Sequence, residues 1–194
     1  MSNYAKNPPK SSGNKGFFVV FRDFGKLLIE RRLFFLGVLL ALFFMILDLS
    51  SKSYIFAMLD KMQEDGSALQ PILKITGFFN LVQVWNRGVS FGMMNDLTYG
   101  KVLISTVNIL ITVVLLVWLY RAQSIYLAIA ISFIVGGALG NLTDRFMNDA
   151  VADFLDFHIM EYHWPAFNLA DSFVFIGVSM LLLENFFVRK SDAK

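Results

Sequence analysis

The sequence predicts a membrane α-helical protein: four transmembrane helices with a small β element on the outer side between spans one and two. Three observations predict it. Hydrophobic residues make up 56% of the chain and charged residues 16%, where soluble proteins run roughly 45–50% apolar and about 25% charged; the mean hydropathy is +0.58. Four apolar stretches are each long enough to cross a hydrocarbon layer of about 30 Å as a helix. Between the first two, residues 75–91 are rich in Val, Phe, Trp and Thr and punctuated by Gly77 and Gly88, a strand composition rather than a helical one.

A length of 194 residues fits one domain. There is no cysteine, which excludes disulfides, thiolate nucleophiles and Cys-ligated metals. A net charge of +2 is too small to argue for nucleic acid, so the distribution of charge matters more than its sum.

Residues 1–15 are polar, basic and rich in Ser, Asn, Pro and Gly, the composition of a disordered tail. In 16–32, Phe17, Val20, Phe21, Phe24, Leu27 and Leu28 recur at helical spacing among Arg22, Asp23, Lys26 and Glu30. That pattern fits an amphipathic helix in the membrane surface, or a cytoplasmic extension of the first span. The first span covers about 33–50, with Asp48 closing its apolar run. No small-residue cleavage site follows, and more spans come later, so it is not a signal peptide. A short helix and polar loop are expected over 54–69. The second span covers 102–120. The third, 125–141, ends in Gly136, Gly137, Ala138 and Gly140, small residues that let helices pack closely in lipid. The fourth, 166–188, is interrupted near its start by Asn168, Asp171 and Ser172. Three regions result: a cytoplasmic tail, 1–32; a four-span domain, 33–188; and a short C-terminal tail, 189–194.

Lys6, Lys10, Lys15, Arg22, Lys26, Arg31 and Arg32 precede the first span; Arg121 lies between spans two and three; Arg189, Lys190 and Lys194 follow the last. The excess of Lys and Arg on cytoplasmic loops then places both termini and 121–124 in the cytoplasm, and 49–101 and 141–165 outside. This topology gathers Asp48, Asn86, Asn141, Asp144, Arg145, Asp153 and Asp171 at the outer end of the bundle. Ionisable groups at membrane depth are costly and by default mark function.

Each residue also has a structural reading. Asn168 and Asp171, three apart at a helix start, suit a cap. Asn141, Asp144 and Arg145 suit a helix-end hydrogen-bond cluster. Asp48 and Lys52 at i and i+4 suit an ordinary helix-surface pair. Gly88 after Asn86-Arg87 suits a turn. His158 and His163, near Asp156 and Glu161, lack the H-E-x-x-H spacing of a zinc helix and suit a solvated face.

Together these pieces resemble the lipoprotein signal peptidase (signal peptidase II) family. Five blocks carry the resemblance in order: Asp48-Leu49-Ser50-Ser51-Lys52, Asn86-Arg87-Gly88-Val89-Ser90-Phe91, Gly140-Asn141-Leu142-Thr143-Asp144-Arg145, Val151-Ala152-Asp153-Phe154 and Phe167-Asn168-Leu169-Ala170-Asp171-Ser172. Leu49 stands where Gln is usual, Val89-Ser90 where Ala-Ala is commoner, and Asp149 where a Gly often precedes the fourth block. The resemblance implies an aspartic-type endopeptidase of the bacterial inner membrane, facing the periplasm. It would remove signal peptides from diacylglyceryl-modified prolipoproteins, cutting before the lipidated cysteine. It also implies Asp153 and Asp171 as the catalytic dyad. Asn86, Gly88, Asn141, Asp144, Arg145, Asn168, Asp48 and Lys52 would bind substrate or support the dyad. Membrane lipid is the surrounding partner, no nucleic acid, metal or cofactor is called for, and a monomer is expected.

The chemistry needs these residue types. Two close carboxylates cannot both ionise cheaply, so they share a proton. The ionised member activates water; the protonated member polarises the carbonyl. Asp171, at a helix start, is the better candidate for the anion. Phe79, Trp85, Phe91, Phe154 and Trp164 serve either as acyl-chain contacts or as interfacial anchors. Two other readings are a metal-dependent membrane hydrolase using Asp144, Asp153, Asp171 and the histidines, and a non-catalytic lipid-binding membrane protein.

Overall fold

A computed structural model describes residues 31–67, 71–88 and 97–191, apart from the side chains of 97–99 and 185–191. The tail and amphipathic helix expected before residue 31 lie outside the described residues, as do Val89, Ser90, Phe91 and the C-terminal residues after 191. In chain order the elements are α1 (Arg32–Glu64), β1 (Ile72–Lys74), β2 (Phe79–Asn86), α2 (Leu97–Tyr120), α3 (Ile125–Asn148), β3 (Val151–Ile159), β4 (Tyr162–His163) and α4 (Leu169–Ser191).

Helix α1 has 33 residues, about 50 Å at 1.5 Å per residue, so it extends well past a hydrocarbon layer. The short helix expected after the first span is this continuation. Neither Gly nor Pro interrupts residues 38–65, and the helix stops only before Gly66, whose φ is +75°. Among the described residues, three helices are long and apolar enough to cross a membrane: α1, α2 from Gly100, and α3.

Helix α3 packs against α1, α2 and α4. Its Gly136 faces the Ala41 carbonyl and Phe44 of α1, and its Gly137 faces the Ala170 carbonyl of α4. The core is built from Ala41, Leu115, Leu119, Ala128, Ile131 and Val135. Phe44 stacks on Phe133 at 4.1 Å, with Phe173 alongside. Asn108 of α2 donates to the Ala138 carbonyl at 3.3 Å and accepts from Thr112. A mid-helix amide thus becomes interhelical glue.

The four strands form one antiparallel sheet in the order β1-β2-β3-β4. The expected β element between spans one and two is half of it. The other half, β3 and β4, comes from residues 141–165, for which the sequence suggested no strand. Strict alternation along 79–86 puts Asn80 and Asn86 on one face. The structure separates them through a β-bulge: Leu81 pairs with Leu155, but Val84 pairs with Asp153. The one extra residue in β2 reverses the side-chain faces beyond it. Asn80 therefore shares a face with Asp156, while Asn86 falls on the face of Asp153.

Candidate active site

The site lies where β3 leaves the end of α3, beside the first turn of α4. Asn168 and Asp171 form a reciprocal cap. The Asp171 N–H donates to Asn168 Oδ1 at 3.0 Å, and the Asn168 N–H donates to Asp171 Oδ2 at 3.3 Å. This is a capping box with Asp in place of the usual Glu or Gln. The cap also aims both residues toward Asn141 and Asp153. Asn168 is fully buried, and its Nδ2 donates to Asp153 Oδ1 at 2.6 Å and to Asn141 Oδ1 at 3.1 Å. Asn141 Nδ2 donates to Asp171 Oδ1 at 2.7 Å. Asn168 thus touches both carboxylates.

Asp153, 2% exposed, accepts a second bond from Asn86 Nδ2 at 2.9 Å on Oδ2. The Asn86 amide is oriented in turn by Gly88, whose N–H donates to Asn86 Oδ1 at 2.8 Å. Gly88 has a φ of +73°, which costs a residue without Cβ little. The turn is therefore what points the Asn86 NH2 group at Asp153.

Behind Asp153 and Asp171 is a buried charge cluster. Lys52, 3% exposed, lies 2.6 Å from Asp48 Oδ2 and 2.9 Å from Asp144 Oδ2, and its Nζ donates to Asn141 Oδ1 at 3.0 Å. The Asp48 contact is an ion pair rather than a directed hydrogen bond. Asp48 and Lys52 are thus not the ordinary surface pair their spacing suggested. Asp48 Oδ1 accepts the Ala170 N–H at 2.8 Å, capping α4 from a residue 122 positions away. Asp144 Oδ2 also accepts the Ala152 N–H at 3.2 Å, which fixes the strand next to Asp153. Gly140 makes room for this arrangement, since a Cβ there would sit 2.4 Å from Asp48 Oδ2. Gly140→Ala is expected to cost about 1–3 kcal/mol through overpacking, read as a lower unfolding midpoint of the detergent-solubilised protein. An unchanged midpoint would show that the cluster has slack.

Four carboxylates (Asp48, Asp144, Asp153 and Asp171) meet two cations, Lys52 and Arg145. Arg145 donates to the Asn141 carbonyl at 3.4 Å and acts electrostatically on Asp171, Asp153 and Asp144. Among the described residues it has no carboxylate partner within salt-bridge distance, so its guanidinium keeps donors to spare. Burial pushes the Asp153 carboxyl up to about 6, and the charge of Asp171 adds to this; hydrogen bonds from Asn86 and Asn168 oppose it.

Other acidic residues are separated from Asp153 and Asp171. Asp149 is exposed, pairs with Lys101 and has a φ of +58°, the backbone that a Gly at that place would suit. Asp156 groups with the two histidines its sequence neighbourhood suggested, and Asn80 joins them from β2. It accepts from Asn80 Nδ2 at 2.8 Å and pairs with His163 at 2.8 Å, while His158 stacks on His163. Burial works to raise Asp156, but the bonds from His163 and Asn80 outweigh it and leave it below the usual carboxylate value. The two histidines therefore group with Asp156 and not with Asp153 and Asp171. Among the described residues no three His, Asp or Glu side chains are grouped to hold a metal ion. Only the run of apolar and aromatic residues in Val151–Ile159, without a simple alternation, could have signalled this strand.

The family model for Signal peptidase (SPase) II matches residues 40–187. Proteins named lipoprotein signal peptidase are similar. That of Rickettsia felis is 42% identical over 120 residues, 61% of this chain and 60% of its own length. That of Aeromonas hydrophila is 46% identical over 120 residues, 60% of this chain and 71% of its own. The match thus spans less than two thirds of the Rickettsia relative. Two solved bacterial membrane enzymes share the fold: one at 25% identity with a TM-score of 0.62, covering 81% of this chain and 91% of that one; the other at 28% and 0.61, covering 76% and 90%. With that match over most of its length, a helical bundle with apolar spans and a polar site at one end, the chain belongs to the signal peptidase II family.

Proposed function

We propose that this protein is an aspartic endopeptidase of the bacterial inner membrane. It removes signal peptides from diacylglyceryl-modified prolipoproteins, cutting before the lipidated cysteine. The observation that carries the reading is the pair of carboxylates, Asp153 and Asp171, both held by one buried residue, Asn168, through its side-chain amide and its backbone N–H, at the mouth of an apolar bundle. In this reading residues 33–188 are the four-span peptidase domain, with α4 as the fourth span. The termini are cytoplasmic, the sheet is periplasmic and the protein acts as a monomer. A lipidated substrate cannot leave the bilayer, so a site at the end of the spans meets the scissile bond where the lipid holds it.

Asp171 receives N–H donors from Asn168 and Asn141 at the N-terminal end of α4. It takes a proton from the attacking water. Asp153, buried and raised, carries the shared proton to the carbonyl oxygen and stabilises the tetrahedral intermediate. As the intermediate collapses, Asp171 gives the proton it took from water to the leaving amine, and a hydroxyl of the intermediate returns its proton to Asp153. Asn86, fixed by Gly88, and Arg145, with unused donors, are placed to hold the peptide backbone. Asp48, Lys52, Asp144 and Asn141 hold the elements that carry the dyad. The protonation states belong to the coupled pair.

The test is cleavage of a purified diacylglyceryl-prolipoprotein by the full-length protein in detergent, with the product ends read by mass spectrometry. Cleavage is expected before the modified cysteine, and the unlipidated precursor should remain intact. Because Asp153 must be protonated, kcat/KM should fall as pH rises through about 6. Equal cleavage of both precursors, or a rate that climbs through that range, would refute the assignment.

A further inference from the structure

The opposite end of the bundle carries a feature the peptidase chemistry does not use. Arg31 and Arg32 begin α1, and Arg121 follows α2. With Tyr120 and Gln123 they line a cup of about 310 Å³. The Arg31 guanidinium sits 4.4 Å from the centre of the Tyr120 ring, which orients a charge that would otherwise swing freely. Among the described residues none of the three guanidiniums has a carboxylate within 4.0 Å. The starts of α1 and α3 flank the cup, and among the described residues neither is capped by a side chain, so both add positive potential.

Two apolar grooves open from this cup. One runs between Phe34 of α1 and Val113, Leu116 and Val117 of α2, and shares Phe34, Tyr120 and Arg121 with the cup. The other runs along Leu33, Leu36 and Ile125, and shares Arg32, Leu33 and Gln123. Their volumes are about 380 and 490 Å³. A basic cup with an apolar groove on each of two sides matches a molecule with one anionic head and two hydrocarbon chains.

We propose that this end of the bundle binds an anionic diacyl phospholipid, its phosphate among Arg31, Arg32 and Arg121 and its chains in the two grooves. Guanidinium forks suit phosphate oxygens. The grooves lie on helices long and apolar enough to span the bilayer, at the end where Lys and Arg are concentrated, so the lipid comes from the cytoplasmic leaflet. The inference rests on the membrane-spanning bundle and not on the peptidase reading.

The full-length protein, purified from micelles containing phosphatidylglycerol and phosphatidylcholine in equal amounts, is examined by native mass spectrometry. One phosphatidylglycerol is expected to be retained in preference to phosphatidylcholine by about tenfold or more. Arg32→Gln with Arg121→Gln should abolish the preference, and Arg121→Gln alone should weaken it. Leu116→Trp, which fills one groove without changing charge, should lower retention as well. Inorganic phosphate should not displace the lipid. Equal retention of the two lipids by the unaltered protein would mean annular contact only and would overturn the proposal. So would a preference that survives the double substitution in protein whose unfolding midpoint is unchanged, or displacement by inorganic phosphate, which would leave an anion site without a lipid role. The assay needs no cleavage, so its failure is separable from failure of the peptidase reading.

Discussion

Asp153→Asn should remove at least about three orders of magnitude of cleavage while leaving the protein folded. The loss follows from chemistry. Asn has no proton to pass to the carbonyl oxygen and cannot share one with Asp171. The fold should survive because two effects oppose each other. The Asp153 carboxyl is raised from 3.8 to about 6, so its ionisation costs stability that the neutral Asn does not lose. The sign is that of a raised carboxyl: the native state is favoured below the unfolded value, and that advantage is lost as pH rises through about 6. At neutral pH the substitution therefore relieves up to about 3 kcal/mol. Against this, Asn86 and Asn168 both donate to Asp153, and the new NH2 group must face one of them, at about 1–3 kcal/mol. The unfolding midpoint should thus change little. Processing of lipidated substrate, measured beside thermal unfolding, checks both halves. Activity within tenfold of the unaltered protein would remove Asp153 from the chemistry, whereas a collapsed midpoint would assign it a structural role.

The largest stability effect is expected at Lys52. Lys52→Met keeps the unbranched stem of the side chain and removes the cation between Asp48 and Asp144. Two buried carboxylates then lose their partner, at a cost of about 3–5 kcal/mol. A surface pair at the same i and i+4 spacing would be worth only about 0.3–0.5 kcal/mol, so the measurement separates the two pictures cleanly. Adding Asp48→Asn to Lys52→Met should restore part of the loss by removing one uncompensated charge. Tryptophan fluorescence during thermal unfolding in detergent would report it. A loss below about 1 kcal/mol, or no recovery in the double variant, would contradict the buried cluster. Cleavage should fall as well, because Lys52 also donates to the Asn141 amide that holds Asp171.

Much of this molecule was legible in the sequence. The apolar runs could only be bundle helices, since a backbone in hydrocarbon must satisfy its own hydrogen bonds. The small residues before Asn141 announced close helix contacts, and Gly136 and Gly137 make them. Asn168 and Asp171 could be read as a cap from spacing alone. What could not be read were contacts between distant segments. Strand β3 was hidden because its buried Val151, Ala152, Asp153 and Phe154 show no simple alternation, and the bulge in β2 breaks the period on which a strand reading depends.

The sequence by itself determined a helical membrane bundle, a cluster of polar residues at one end of it and, through five short blocks, the family. Local patterns suffice for these because helix length, apolar period and capping are properties of neighbouring residues. Only the tertiary structure decided that Asp48 and Lys52 are a buried cluster, that Asn86 rather than Asn80 faces Asp153, and that Asp149 and Asp156 stand apart from the pair. Each of those outcomes depends on which segments meet and on which face a shifted register presents, and burial then sets what a charge costs.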